Sequence, residues 1–568
     1  MCGIAGFISV SVRSQDIDKS HFQVLGMAKK IRHRGPDSFG SFCDKKSGVA
    51  LSHRRLAILD ISDKGAQPMS SPDGRYTIIF NGEIYNYKHL SKIISKTGHT
   101  FQSYSDTEVL LSAIQIWGIE YSLKLLEGMF GFALWDKKKK ILTLARDRLG
   151  EKPLYYGFHG KTFLFGSEIK ALKAHPDWEN EINRDSLTSY LYHNYVPSPY
   201  SIYKNIYKLM PGNYLQISPE NGKNDLLKPI TYWSLESVIK ETQINPLKLN
   251  DKEAIGYIEN ILKDSVRSTM NSDVPLGAFL SGGIDSSLIV ALMQNQSQNK
   301  IKTFTIGFFE KEYNEAKEAN NIAKYLNTDH HELYVSAKQA LDALLKIQNI
   351  YDEPFSDSSQ IPTYILSKMT QEHVTVALSG DGGDELFGGY ERYFLAQKIW
   401  NNKSYMPMIV SKLINKLTKK LSLDSLDNVI NLFFRTFDRK YLYKNPSEKL
   451  KRFSEMLIMT NVEEVYSHMI CHWNNSEEVV IGGKMLNTPL VDSTRWLENL
   501  DSIHKMMYLD TISYLPDDIL VKVDRAAMSV SLETRLPFLN HKVIQGAWSL
   551  SIEQKIKNGK GKWILKEI

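Results

Sequence analysis

At 568 residues the chain is longer than one hydrophobic core supports, so at least two domains are expected. Hydrophobic residues make up 42% and charged residues 24%, and 70 basic against 64 acidic side chains leave +6, too slight a charge to mark a nucleic-acid binder. Three scattered cysteines, Cys2, Cys43 and Cys471, exclude a disulfide framework and a zinc-ligand spacing. No apolar run approaches the roughly 20 residues that cross a bilayer. No basic stretch followed by an apolar one marks a signal peptide. The expectation is a cytoplasmic enzyme that engages neither membrane nor nucleic acid.

Residues 1–215 read as short strands cut by Gly, Pro and Asn, for example Gly3 to Ile8, Tyr76 to Phe80 and Met129 to Trp135. The run Lys137 to Lys140 between two apolar segments predicts a solvated turn joining strands. A helix is predicted from Glu108 to Trp117, behind Ser105-Asp106-Thr107, where Ser or Asp supplies the cap. Strands with few helices imply an α+β layered domain. The polar stretch 216–250, including Ser218-Pro219-Glu220-Asn221-Gly222, reads as a linker. Beyond it, strand and helix patterns alternate: Val274 to Leu280, Ser286 to Gln294, Ile301 to Phe308, Asn314 to Leu326 and Val374 to Leu378. That alternation predicts an α/β, doubly wound parallel sheet with ligands at the strands' C-terminal ends. From about 395 onward the pattern is helical.

Cys2 follows the initiator methionine, so removal of Met1 would place a thiol and a free α-amino group on one residue. An α-amino group titrates near 7.7–8.0, so it can act as general base for its own thiol. Three further segments follow: Arg34-Gly35-Pro36-Asp37, Asn81-Gly82-Glu83-Ile84-Tyr85-Asn86 and Ser105-Asp106-Thr107-Glu108. On its own Asn81-Gly82 is a hairpin turn. Together with Met1-Cys2-Gly3-Ile4, these segments resemble the glutaminase domain of the asparagine synthetase family. The resemblance implies an N-terminal-nucleophile hydrolase fold, an αββα sandwich, over residues 2–215. It also implies roles. Cys2 would attack the side-chain amide of L-glutamine, with Asn81 and Gly82 forming the oxyanion hole. Arg55 would meet the substrate's α-carboxylate and Asp106 its α-ammonium, with Glu83 nearby.

The second signature is Phe279-Leu280-Ser281-Gly282-Gly283-Ile284-Asp285-Ser286-Ser287, between an apolar strand and a helix. Two glycines permit a tight turn, and the helix N-terminus offers free N–H groups to phosphate oxygens. No Gly-Lys-Ser/Thr is present, so this is not a Walker A loop. Serines with an aspartate fit a diphosphate held through amides, hydroxyls and Mg²⁺ on Asp285. The segment resembles the loop of the ATP-pyrophosphatases, which implies a synthetase domain over 251–568 that uses ATP. A third loop, Leu378-Ser379-Gly380-Asp381-Gly382-Gly383-Asp384, follows another apolar strand. By resemblance Ser379, Gly380, Leu280 and Ile306 would contact ATP beside Ser281, Gly282, Gly283 and Ser286. Asp384 would share Mg²⁺ with Asp285, and Asp381 would serve formation of an acyl-adenylate. Further on, Asp524 and Arg535 are either acceptor contacts or members of buried ion pairs.

Relatives commonly continue past the Gly561 to Lys566 segment into one that carries a diphosphate-binding lysine, so the resemblance implies either that this sequence is a piece of a longer chain or that the synthetase half lacks one cation for its leaving group. The family further implies a homodimer, and an overall reaction in which L-aspartate, ATP, L-glutamine and water give L-asparagine, AMP, diphosphate and L-glutamate. Two alternatives stay open: a sugar carboxylate as acceptor in surface-polysaccharide synthesis, and a glutaminase or binding subunit with an inactive synthetase half.

Overall fold

The computed structural model describes residues 2–9, 17–220, 227–309, 314–404, 407–420 and 446–568. Met1, residues 221–226 of the expected linker and residues 421–445 of the helical region lie outside the described residues.

The front half holds two six-stranded antiparallel sheets laid face to face. In one, the strand order is Ile206–Lys208, Tyr155–His159, Thr162–Gly166, Gly3–Ser9, Val49–Arg55, Ser38–Asp44. In the other it is Ile230–Thr231, Asn213–Ile217, Ile141–Arg146, Gly128–Asp136, Tyr76–Ile84, Met69–Ser70. Every residue of Tyr76–Ile84 is buried, which explains why its apolar side chains fall on both faces. Ile4, Ile8 and Leu51 from the first sheet meet Ile79, Trp135 and Leu144 from the second in a common core. The helix Ile17–Lys30 covers the outer face of the first sheet through Val24 and Met27, joined by Ile31 just beyond its end. The helix Asp106–Trp117 covers the second through Leu110, Ala113 and Ile114. Four layers result, αββα, as the resemblance implies.

The helix over 106–117 starts two residues before the expected one because Ser105 Oγ accepts from Thr107 N at 3.1 Å. Lys137 to Lys140 form the turn between Gly128–Asp136 and Ile141–Arg146.

The rear half is built on five parallel strands in the order Asp329–Val335, Lys302–Phe308, Leu276–Phe279, Val376–Leu378, Glu533–Arg535. Leu276–Phe279 is central, so the loops that follow it and its two neighbours converge at one edge of the sheet. The helices Asp251–Thr269 and Ile284–Asn295 pack against it through Ile258, Leu262, Val290 and Met293.

The stretch read as a linker is largely folded. Asn213–Ile217 completes a sheet strand, and 235–244 form a helix capped by Ser234, whose side chain accepts from Ser237 N at 3.1 Å. Leu235, Val238 and Ile239 recur at helical spacing and enter the rear core, which polar composition alone concealed. Among the described residues no helix is long and apolar enough to cross a membrane.

Candidate active sites

Cys2 is buried at the start of the central strand Gly3–Ser9. Its N–H donates to Asn81 Oδ1 at 2.9 Å, and its Sγ lies 3.9 Å from the Leu56 carbonyl oxygen. Burial pushes the thiol up to about 11, with the amino terminus pulling the other way. With Oδ1 engaged, the buried Asn81 Nδ2 is left with no partner among the described residues, a free donor beside the thiol. At Gly82 a Cβ would stand 2.1 Å from the Met129 carbonyl oxygen, so only glycine lets this strand lie so close to its neighbour.

Glu83 and Asp106 are buried in the same region; burial raises the Glu83 carboxyl well above its usual range, and Asp106 adds to the rise. Asp106 begins its helix and accepts from Ile84 N at 2.9 Å. Burial nonetheless pushes its carboxyl up to about 6. Arg55 ends the strand Val49–Arg55 and donates to the carbonyls of Ser62, at 2.8 Å, and Asp60. Two of its N–H groups therefore serve the loop that follows it, an engagement the sequence did not disclose. Cys2, Asn81, Glu83 and Asp106 thus converge, and the loop that leaves Arg55 touches the thiol through Leu56.

Between the halves runs a buried ionic seam. Arg34 donates from Nε to the Cys2 carbonyl at 3.1 Å and from Nη1 and Nη2 to Asp524 at 2.7 and 2.9 Å. Its Nη1 also reaches Glu168 at 2.9 Å, which Arg525 Nη1 approaches at 3.1 Å. Arg535 binds Glu533 at 2.7 Å, donates to the Thr269 carbonyl at 2.7 Å and lies 3.6 Å from Glu83. Asp524 and Arg535 are therefore interdomain ion-pair residues, and neither lines the cavity described next. Removing one partner of a buried pair strands the other charge. Asp524→Asn is expected to lose about 3–5 kcal/mol, read as a drop in denaturation midpoint; an unchanged midpoint would remove the seam's structural role.

The helix Leu520–Met528 connects this seam to a cavity of about 780 Å³ at the C-terminal edge of the parallel sheet. Leu280, Ser281, Gly283, Asp285, Ser286, Ile306, Ser379, Gly380, Asp381 and Asp384 all line it. Gly282 is not among the lining residues. It holds φ +84°, and a Cβ would meet Glu318 Cβ at 2.9 Å, so its part is to turn the loop. Ser286 Oγ receives Ser281 N at 3.2 Å and lies 3.0 Å from Ser281 Oγ, which folds the loop onto the helix start. Ser379 Oγ donates to Asp381 at 2.6 Å.

The sequence reading missed Lys562. Its Nζ lies 2.7 Å from both Asp285 Oδ2 and Asp384 Oδ1, at the cavity wall. A Cβ at Gly389 would meet Asp384 Oδ1 at 2.0 Å and Lys562 Cε at 2.2 Å, so glycine makes room for the bridge. Burial pushes the Asp285 carboxyl up to about 6 despite Lys562, and Asp285 Oδ1 has no partner among the described residues. That orphaned oxygen suits a hard cation such as Mg²⁺. No group of three His, Cys, Asp or Glu able to hold a metal occurs among the described residues, so phosphate oxygens would have to supply most of the coordination.

A buried thiol at position 2 with an amide donor beside it, joined through an ionic seam to a nucleotide-sized cavity, fits a glutamine-dependent amidotransferase that works as a carbon–nitrogen ligase. The asparagine synthase family model matches residues 257–568 and the glutamine amidotransferase domain model residues 1–233. Asparagine synthetase [glutamine-hydrolyzing] 1 of Bacillus subtilis is 33% identical over 569 residues, covering all of this chain and 84% of its own. A Methanocaldococcus jannaschii protein, provisionally named asparagine synthetase [glutamine-hydrolyzing] 2, is 34% identical and covers 93% of this chain and 98% of its own. A solved B. subtilis glutamine phosphoribosylpyrophosphate amidotransferase shares 15% identity, with 60% of this chain and 70% of that one covered, at a TM-score of 0.30, too slight a likeness to argue from. The chain belongs to the asparagine synthetase family.

Proposed function

We propose that the chain converts L-aspartate, ATP, L-glutamine and water into L-asparagine, AMP, diphosphate and L-glutamate. The arrangement at Asn81 carries the reading: one amide anchors Cys2 through Oδ1 and keeps Nδ2 free for a developing oxyanion. A thiol raised to about 11 is inert at neutral pH without a base in place. Once Met1 is removed, the α-amine of Cys2 is that base. The thiolate adds to the glutamine amide carbon while Asn81 Nδ2 and the Gly82 N–H stabilise the oxyanion. The carbon–nitrogen bond breaks, ammonia leaves, and water releases glutamate from the thioester. Arg55, Glu83 and Asp106 fix the two charged ends of glutamine.

In the rear half, the loop Ser281 to Ser286 and the helix start behind it hold the phosphates, with Leu280, Ile306, Ser379 and Gly380 around the nucleotide. The β-carboxylate of aspartate attacks the α-phosphorus beside Asp381, and diphosphate departs past Lys562. Ammonia then displaces AMP from the acyl-adenylate. Mg²⁺ bound with the phosphates at Asp285 and Asp384 would offset their charge.

The names of the relatives favour aspartate as acceptor. The test is AMP release with aspartate set against a panel of uronic acids. Aspartate-dependent AMP matched by asparagine is the expected result; AMP release with a uronic acid and none with aspartate would replace the acceptor.

A further inference from the structure

A second cavity, of about 500 Å³, adjoins the nucleotide cavity and shares Ser358 with it. The ion pair between Lys522, on the nucleotide side, and Asp357, on the far side, spans the partition at 3.0 Å. One wall is the π-helical stretch Asp510–Ile519, which contributes Asp510, Tyr514 and Asp518. π-Helical turns are rare and frequently mark functional sites.

The charged groups on this cavity are unequally satisfied. Asp510 is fully engaged by Arg392 Nη2 at 2.6 Å, Tyr393 at 2.7 Å and Tyr466 at 2.6 Å. Asp357 has Lys522. Asp518 is buried and shares a side-chain hydrogen bond with Asp357, yet its Oδ1 has no partner among the described residues. Burial and the neighbouring Asp357 push its carboxyl up to about 8. Arg452 shows the opposite deficit. Among the described residues it has no carboxylate partner, and it donates only to the carbonyls of His468 at 3.1 Å and Cys471 at 2.6 Å. Arg392 Nε is likewise without a partner there. Buried polar groups are normally satisfied, so an unpaired acid oxygen, an Arg452 guanidinium with no carboxylate partner and an unpaired Arg392 Nε on one cavity call for a ligand carrying both charges.

We propose that this cavity holds the non-reacting end of the acceptor, with Asp518 taking its α-ammonium and Arg452 and Arg392 its α-carboxylate. The reacting carboxyl then passes Ser358 toward Asp381. The proposal rests on aspartate being the acceptor and adds the residues that select it. A sugar acid, with neutral hydroxyls at its far end, offers nothing cationic to Asp518.

The test uses ammonia-dependent synthesis by the full chain, which bypasses Cys2. Asp518→Asn and Arg452→Met should each raise KM for aspartate at least tenfold while KM for ATP stays within twofold. Succinate is aspartate without its ammonium. The ratio of its inhibition constant to KM for aspartate should fall at least tenfold in Asp518→Asn. Arg452 is only half-buried, so its variant decides the matter if Asp518→Asn does not fold. An unchanged KM for aspartate in folded variants, with wild type amidating aspartate normally, overturns this proposal and leaves the reaction standing. A wild type that amidates uronic acids and ignores aspartate overturns both.

Discussion

Cys2→Ala is expected to abolish glutamine-dependent synthesis and leave ammonia-dependent synthesis near the wild-type rate. Removing a catalytic nucleophile costs on the order of 10⁶-fold in rate, so glutamate release falls below detection. The replacement is small and the site is buried, so the strand Gly3–Ser9 keeps its pairing on both sides. The Asn81 contact uses the Cys2 main-chain nitrogen, which alanine retains. Only the thiol is lost. Parallel assays with glutamine and with ammonium chloride check this, and equal loss of both activities would contradict the division of labour between the halves.

Lys562→Met is expected to produce the mirror image: glutamine hydrolysis persists while AMP formation falls by about 10²–10³-fold. A fixed donor or charge at a departing oxyanion contributes roughly 3–4 kcal/mol to the transition state. Lys562 is the ammonium that bridges Asp285 and Asp384 on the cavity at the C-terminal edge of the parallel sheet. Its loss also leaves those two carboxylates facing each other uncompensated, which disfavours the approach of triphosphate. Methionine preserves most of the side chain's volume, so packing around Gly389 is disturbed little. Aspartate- and ATP-dependent AMP release measured beside glutaminase activity checks this, and AMP formation within threefold of wild type would remove Lys562 from the chemistry.

The parts legible in the sequence were those whose residues lie close along the chain. Ser281 to Ser286 lie in one strand–turn–helix unit, so the turn and the helix start behind it are legible from their order. Asn81 and Gly82 adjoin, and Cys2 is marked by its place behind Met1. What stayed hidden depends on contacts across the chain. Lys562 meets Asp285 across 277 positions, and Arg34 meets Asp524 across 490. No local pattern encodes either pair. Asp524 and Arg535 read equally as ligands or as ion-pair members, and the seam between the halves decides for the second. The helix 235–244 was concealed for another reason: three apolar residues in a polar stretch satisfy a core only once that core exists. At Gly282 the positive φ and the closeness to Glu318 fit the tight turn that the glycine pair predicts.

Nitrogen transfer between the two sites is tested most directly with glutamine labelled with ¹⁵N at its side-chain amide, in the presence of excess unlabelled ammonium and aspartate. Mass analysis of the product should show asparagine carrying the label in near-equimolar amount with the glutamate formed. Asparagine that carries only the isotope ratio of the bulk ammonium would mean that nitrogen freed at Cys2 reaches solvent first, and the two sites would not act as one enzyme.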